Sequence, residues 1–165
     1  MSADEALEQL ITGSGDRLLR FAFQLTHDRS AAEDVVQEAL MRIYRAWRRE
    51  LPPPENAHAY ARRAVVNEFL RRQRLRAATE LITADMPAAS AESFEGLVVD
   101  RDELWRALGG LPLRQRTVLV LRYYEDLPDA QIAELIDAKE ATVRSLAARG
   151  LAAVRAASMV EVSER

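Results

Sequence analysis

Two stretches of this chain have residue types and spacings suited to gripping nucleic acid. The first, AYARRAVVNEFLRRQRLR (Ala59–Arg76), carries Arg62, Arg63, Arg71, Arg72, Arg74 and Arg76, interrupted by Tyr60 and Phe69. Guanidinium groups meet phosphates and aromatic rings stack on unpaired bases, so this mixture suits a single strand. A solvated basic face over two core aromatics would have the same composition. The second stretch, near the C-terminus, has the size of a helix-turn-helix. Ile132, Leu135 and Ile136 would face inward from one helix, and Val143, Ala147, Leu151 and Val154 from the next. Thr142, Ser145 and Arg149 then fall on one outward face, with Ala141, Arg144 and Ala148 beside it. Small side chains permit close approach to a groove, and Thr, Ser and Arg supply donors to phosphates and base edges. An ordinary helical hairpin remains the alternative.

Catalytic chemistry has no comparable support. There is no glycine-rich phosphate loop and no nucleophile motif, and acidic pairs such as Glu33-Asp34 lie within a helix pattern. His27 and His58 have no third ligand beside them and are expected to be structural, so neither a metal nor a cofactor is expected.

The net charge of −3 looks wrong for a nucleic-acid binder until it is divided along the chain. Residues 60–76 hold six Arg against Glu68, whereas residues 77–105 hold Arg101 against seven acids. Phosphates respond to the local field, so the concentrated basic stretch matters more than the total. Cysteine is absent, which fits a reducing compartment. No apolar run approaches the roughly 20 residues that span a bilayer, and MSADEALEQL has no signal-peptide core. A cytoplasmic location without membrane insertion is expected.

The elements that must position these residues read as helix throughout, giving an all-α fold of two small domains. Gly13-Ser14-Gly15 predicts a break, followed by a stripe of Leu18, Leu19, Phe21, Ala22 and Leu25. Ser30 to Glu33 reads as a capping box. Behind it Val36, Leu40, Ile43 and Trp47 recur on one helix face, with Asp34, Gln37, Glu38 and Arg45 in a polar strip opposite. As a solvated surface that strip needs no special explanation. Pro52-Pro53-Pro54 must stop the helix. Another runs from about Ala57 to Arg76, closing a three- or four-helix domain over residues 1–76. Residues 77–101 read as an acidic linker, extended by like charge. The second domain, residues 102–160, opens with a short helix bearing Leu104, Trp105 and Leu108 and closed by Gly109-Gly110. Pro112 opens a helix through Tyr124, and Pro128 opens one through Ile136. After a turn at Asp137-Ala138-Lys139, the last helix runs from Glu140 to about Ala156.

Taken together, these segments resemble a known family. AAEDVVQEALMRIYRAW is similar to conserved region two of the extracytoplasmic-function (group four) sigma factors of bacterial RNA polymerase, and ALGGLPLRQRTVLVLRYYEDLPDAQIAELI to their region four. The likeness covers roughly residues 15–76 and 104–156. AYARRAVVNE and LRYYEDL resemble the actinobacterial SigE-like branch.

This resemblance implies a division of labour. Asp34, Gln37 and Glu38 would dock on the clamp helices of the polymerase β′ subunit. Arg45, Asn56, Tyr60, Arg62, Arg63, Asn67, Arg71, Arg72 and Arg74 would meet the minus-ten element, with the loop from Glu50 to His58 and the following helix trapping an unstacked base. The second domain would sit on the β flap and place Glu140, Ala141, Thr142, Arg144, Ser145 and Arg149 in the major groove of the minus-thirty-five element. Promoter choice and help in opening the DNA follow, without catalysis. The implied partners are core RNA polymerase, promoter DNA and an anti-sigma factor, and the unbound protein is expected to be a monomer. Against the family pattern, Tyr60 stands in place of Trp, Pro128 and Lys139 in place of capping Ser or Thr, Asp137 in place of a turn Gly, and Leu146 in place of Arg. Lys has only donors and cannot accept from helix amides, so a later start or fraying of the last helix is expected. The competing reading is a helix-turn-helix regulator that binds operators without polymerase.

Overall fold

The computed structural model describes residues 1–49, 52–77 and 101–163, which form seven helices. The chain divides into two compact units, Met1–Ile82 and Thr83–Arg165. Most of the acidic linker expected over 77–101 lies outside the described residues, while Ala77 and Arg101 belong to helices.

In the first unit α1 (Ala3–Thr26) begins at a capping box: the Glu5 amide donates to Ser2 Oγ at 3.2 Å and the Ser2 amide to Glu5 Oε2 at 3.0 Å. The break expected at Gly13-Ser14-Gly15 does not occur. Ala6, Leu10, Ser14, Leu18 and Leu25 are buried at helical spacing on one continuous face. Each glycine costs a helix roughly 1 kcal/mol. Burying a leucine returns about 1.5–3 kcal/mol, so the packed stripe overrides the local weakness. The helix ends at His27, whose left-handed backbone (φ 51°) fills the role Gly often takes, and whose amide donates to the Phe23 carbonyl at 2.9 Å.

Helix α2 (Arg29–Arg49) starts earlier than its sequence pattern predicts. Asp28 Oδ1 accepts from the Ala31 amide at 3.2 Å, so Asp28 is the cap and Ser30 lies inside the first turn. Glu33 pairs with Arg29 at 3.2 Å instead of reaching back to Ser30. Val36, Ile43 and Trp47 are buried, with Ala32, Val35 and Ala39 beside them, while Leu40 is half-buried. Helix α3 (Ala57–Ala77) buries Ala61, Val65, Val66, Phe69 and Leu70. The three helices pack pairwise, so this unit is a three-helix bundle.

In the second unit α4 (Arg101–Gly109), α5 (Leu113–Tyr123) and α6 (Asp129–Ile136) all pack against α7 (Glu140–Ser163). Pro112 and Pro128 occupy the N-cap positions of α5 and α6 without a side-chain bond. Asp137 takes the left-handed turn (φ 54°) after α6, a geometry Asp tolerates. The Lys139 carbonyl accepts the Val143 amide at 3.1 Å, so α7 starts at Glu140 without a capping oxygen. It continues past Ala156 to Ser163.

Candidate functional site

One acid organises the most basic surface of the first unit. The Glu68 side chain is 1% exposed, yet it is surrounded by guanidinium groups. Arg71 donates from Nε at 3.1 Å and from Nη2 at 2.8 Å, closing a fork on the carboxylate. Arg72 donates from Nε at 3.0 Å, and Arg42 of α2 stands at 3.3 Å. Burial pushes the Glu68 carboxyl up, but the hydrogen bonds from Arg71 and Arg72 and the charges of Arg71 and Arg42 outweigh it and hold the pKa below the ordinary value. The Arg71 guanidinium is raised in turn, first by its hydrogen bond to Glu68.

The same network reaches the polar strip of α2. Arg42 pairs with Glu38 at 3.5 Å, and Arg72 Nη2 donates to the Asp34 carbonyl at 3.4 Å. Asp34, Gln37 and Arg45 are exposed and Glu38 is half-buried. The structure therefore brings two of the expected docking residues beside two of the expected DNA-binding arginines.

Along α3, Tyr60, Arg63, Asn67, Arg71 and Arg74 recur at i, i+3, i+7, i+11 and i+14, one stripe of the helix. Tyr60, Asn67 and Arg74 are exposed, Arg63 and Arg71 half-buried, and Arg72 flanks the stripe. Arg62 does not join them: helical register puts it on the side that carries Val66 and Phe69. Phe69 is core at 1% exposure and cannot stack on a base, whereas Tyr60 is 37% exposed with its ring 6.1 Å from that of buried Trp47. Asn56 is committed in part, because its Oδ1 caps α3 by accepting from the Ala59 amide at 3.0 Å. Of the expected base-trapping loop, Glu50 and Leu51 lie outside the described residues.

In the second unit α7 is enclosed by three helices, which leaves less of it outward than a two-helix reading implies. Glu140, Ala141 and Arg144 are exposed, and Thr142 and Arg149 half-buried. Ser145 and Ala148 are buried, a correction to the outward face expected for them. Ser145 Oγ accepts from Arg149 Nη2 at 3.2 Å, so these two side chains engage each other. Leu146 is likewise core. Among these residues the exposed side-chain donor is Arg144, in the second turn of the helix.

Two features escaped the reading of sequence. Glu68 was counted only as a lone acid among arginines, although its i+3 and i+4 spacing to Arg71 and Arg72 is the ion-pair signature of a helix. The Ser2–Glu5 box, likewise legible as S-x-x-E, starts a helix whose Asp4 accepts from Tyr44 Oη at 2.6 Å.

Comparison with known proteins accounts for both units. Sigma-70 region 2 matches residues 10–79, and Sigma-70, region 4 matches residues 101–154. The RNA polymerase sigma-E factor of Streptomyces avermitilis is 33% identical over 148 residues, covering 90% of this chain and 82% of that protein. The ECF RNA polymerase sigma factor SigE of Mycolicibacterium smegmatis is 29% identical over 150 residues, covering 87% of this chain and 58% of its own. The sigma factor RpoE from Bartonella quintana, solved with the anti-sigma factor NepR, shares the fold with a TM-score of 0.60 at 21% identity, over 93% of this chain and 96% of that one. A regulator acting without polymerase is not favoured, since region 2 is present and the sigma likeness runs through nearly the whole chain. The chain belongs to the extracytoplasmic-function sigma factors, an alternative sigma factor that directs RNA polymerase to promoters.

Proposed function

We propose that this protein is a SigE-like factor that docks on core polymerase through Asp34, Gln37 and Glu38 and opens promoters with the α3 stripe. The observation that carries this reading is the ion-pair chain from Glu38 through Arg42 and Glu68 to Arg71 and Arg72, which joins the two surfaces. Tyr60, Arg63, Asn67, Arg71 and Arg74 with flanking Arg72 would follow the non-template strand of the minus-ten element. Extruding a base costs a few kcal/mol, which phosphate pairing and stacking on Tyr60 would offset. Glu140, Ala141 and Arg144 at the start of α7 would enter the major groove of the minus-thirty-five element. The docking surfaces on the enzyme would be the β′ clamp helices and the β flap.

An anti-sigma factor is proposed as a further partner, in line with the complex formed by RpoE of Bartonella quintana. No described helix is long and apolar enough to cross a membrane. The protein's contribution would be binding alone, with no bond made or broken by its own side chains.

Reconstituted transcription tests the reading. Core enzyme plus this protein is expected to open and transcribe a subset of promoters from a genomic library, and core enzyme alone to transcribe none specifically. Retention of a palindromic duplex by the protein alone, with no association to core enzyme at low salt, would overturn it.

A further inference from the structure

We infer that Glu68 is a positioning residue, whose buried carboxylate aims the Arg71 and Arg72 guanidinium groups at promoter phosphates. The inference rests on the reading that α3 meets DNA. A carboxylate is costly to bury unless cations and hydrogen bonds compensate it. Here three arginines converge, at 2.8, 3.0 and 3.3 Å, and each side chain stays between 34% and 51% exposed. The excess of positive charge is thus held at the surface by an anion beneath it. Arg71 presents its Nε–Nη2 edge to Glu68, which turns its Nη1 edge away from the carboxylate and keeps it able to meet a second anion. Arg72 is fixed twice, by Glu68 and by the Asp34 carbonyl. Without the central anion, three like charges this close would repel one another and the long side chains would splay.

The sign of the effect separates positioning from bulk electrostatics. Glu68→Gln adds one net positive charge, so a residue that merely diluted the basic field would, once neutralised, strengthen promoter binding. A positioning residue would weaken opening despite the added charge. The experiment compares polymerase holoenzymes carrying wild-type protein, Glu68→Gln, Glu68→Asp, or Arg71→Ala with Arg72→Ala. It measures core affinity, open-complex formation across a salt series, and affinity for a non-promoter duplex. Glu68→Gln is expected to lower opening about tenfold, the scale of one charge-assisted hydrogen bond. Core affinity and non-promoter affinity should not fall, and Glu68→Asp should recover part of the opening. Opening unchanged or raised in Glu68→Gln overturns the inference, as does a loss explained by weaker core binding. If Glu68→Gln does not fold, wild-type opening by Glu68→Asp overturns it. An unaltered salt slope in the double-alanine holoenzyme rejects DNA contact by these arginines and the inference with it. A reduced slope there beside a normal Glu68→Gln rejects the inference alone.

Discussion

A β-carbon on Gly150 would lie 2.9 Å from Leu119 Cδ1 and 3.2 Å from its Cγ, so α5 and α7 meet at a separation that glycine alone permits without movement. Leu119 is buried at 2% exposure and its Cγ is no flexible tip. Overpacking of this kind costs about 1–3 kcal/mol, and replacing a helical glycine by alanine returns roughly 1 kcal/mol. Gly150→Ala is therefore expected to destabilise the second unit by about 1 kcal/mol. Thermal unfolding followed by Trp105 fluorescence checks this, and a raised midpoint would mean that Leu119 yields freely.

Asn56 has a structural task whatever it does with DNA. Its Oδ1 accepts from the Ala59 amide, so Asn56→Ala should cost about 1 kcal/mol of stability in the first unit, while Asn56→Asp should cost little. Equal losses for the two substitutions, measured by urea unfolding, would deny it the cap. Promoter opening by Asn56→Asp then isolates whatever the amide contributes to base recognition.

The Glu68 network makes stability depend on pH in a defined direction. The folded carboxyl sits below its ordinary value, because the arginine interactions outweigh burial. Its contribution is therefore complete above the unfolded pKa and is lost as pH falls through the ordinary carboxylate range toward the lower folded value. The stability gap between wild type and Glu68→Gln should be widest near neutrality and narrow across that window. A gap of constant size in acid titration would contradict the assignment.

Charge reversal on the α2 face tests docking. Asp34→Lys combined with Gln37→Ala is expected to weaken core polymerase binding at least tenfold, since both side chains are exposed and burying an interfacial charge against its own kind is costly. Neither change touches the core, so the melting temperature should stay close to that of wild type. Undiminished capture of core enzyme would move the docking surface elsewhere.

Burial divides the residues of α7 into those that can reach a duplex and those that cannot. Arg144→Ala should reduce the salt slope of minus-thirty-five binding by about one, as expected for one phosphate contact. Ser145→Ala should leave that slope unchanged, because its hydroxyl is buried and engaged by Arg149. A larger effect from Ser145 than from Arg144 would require α7 to turn over in the bound state.

Local pattern was enough to assign helix type and approximate extent. Apolar spacing at 3.6 residues identified the buried faces of α2 and α7, whereas in α6 only Ile132 of the expected inward residues is buried and Leu135 and Ile136 are half-buried. Pro112, Pro128 and Asp137 marked boundaries that the structure keeps. The helix through Gly13 and Gly15 was not legible, since its continuity comes from a face packed against α2 and α3. The α2 cap was misplaced because Ser30 and Asp28 both offer an acceptor and only the path of the chain chooses between them.

The order of residues by itself determined an all-helical protein with a basic, aromatic-bearing helix and a helix-turn-helix, because amphipathic period and charge are local properties. Tertiary packing decided which of those side chains are left to act. Phe69 and Ser145 are buried in helices that pack against two and three others respectively. The arrangement of Arg42, Arg71 and Arg72 about Glu68 also belongs to the fold, since it depends on α2 lying against α3. Distances between helices, unlike periods along one, are set only when the whole bundle closes.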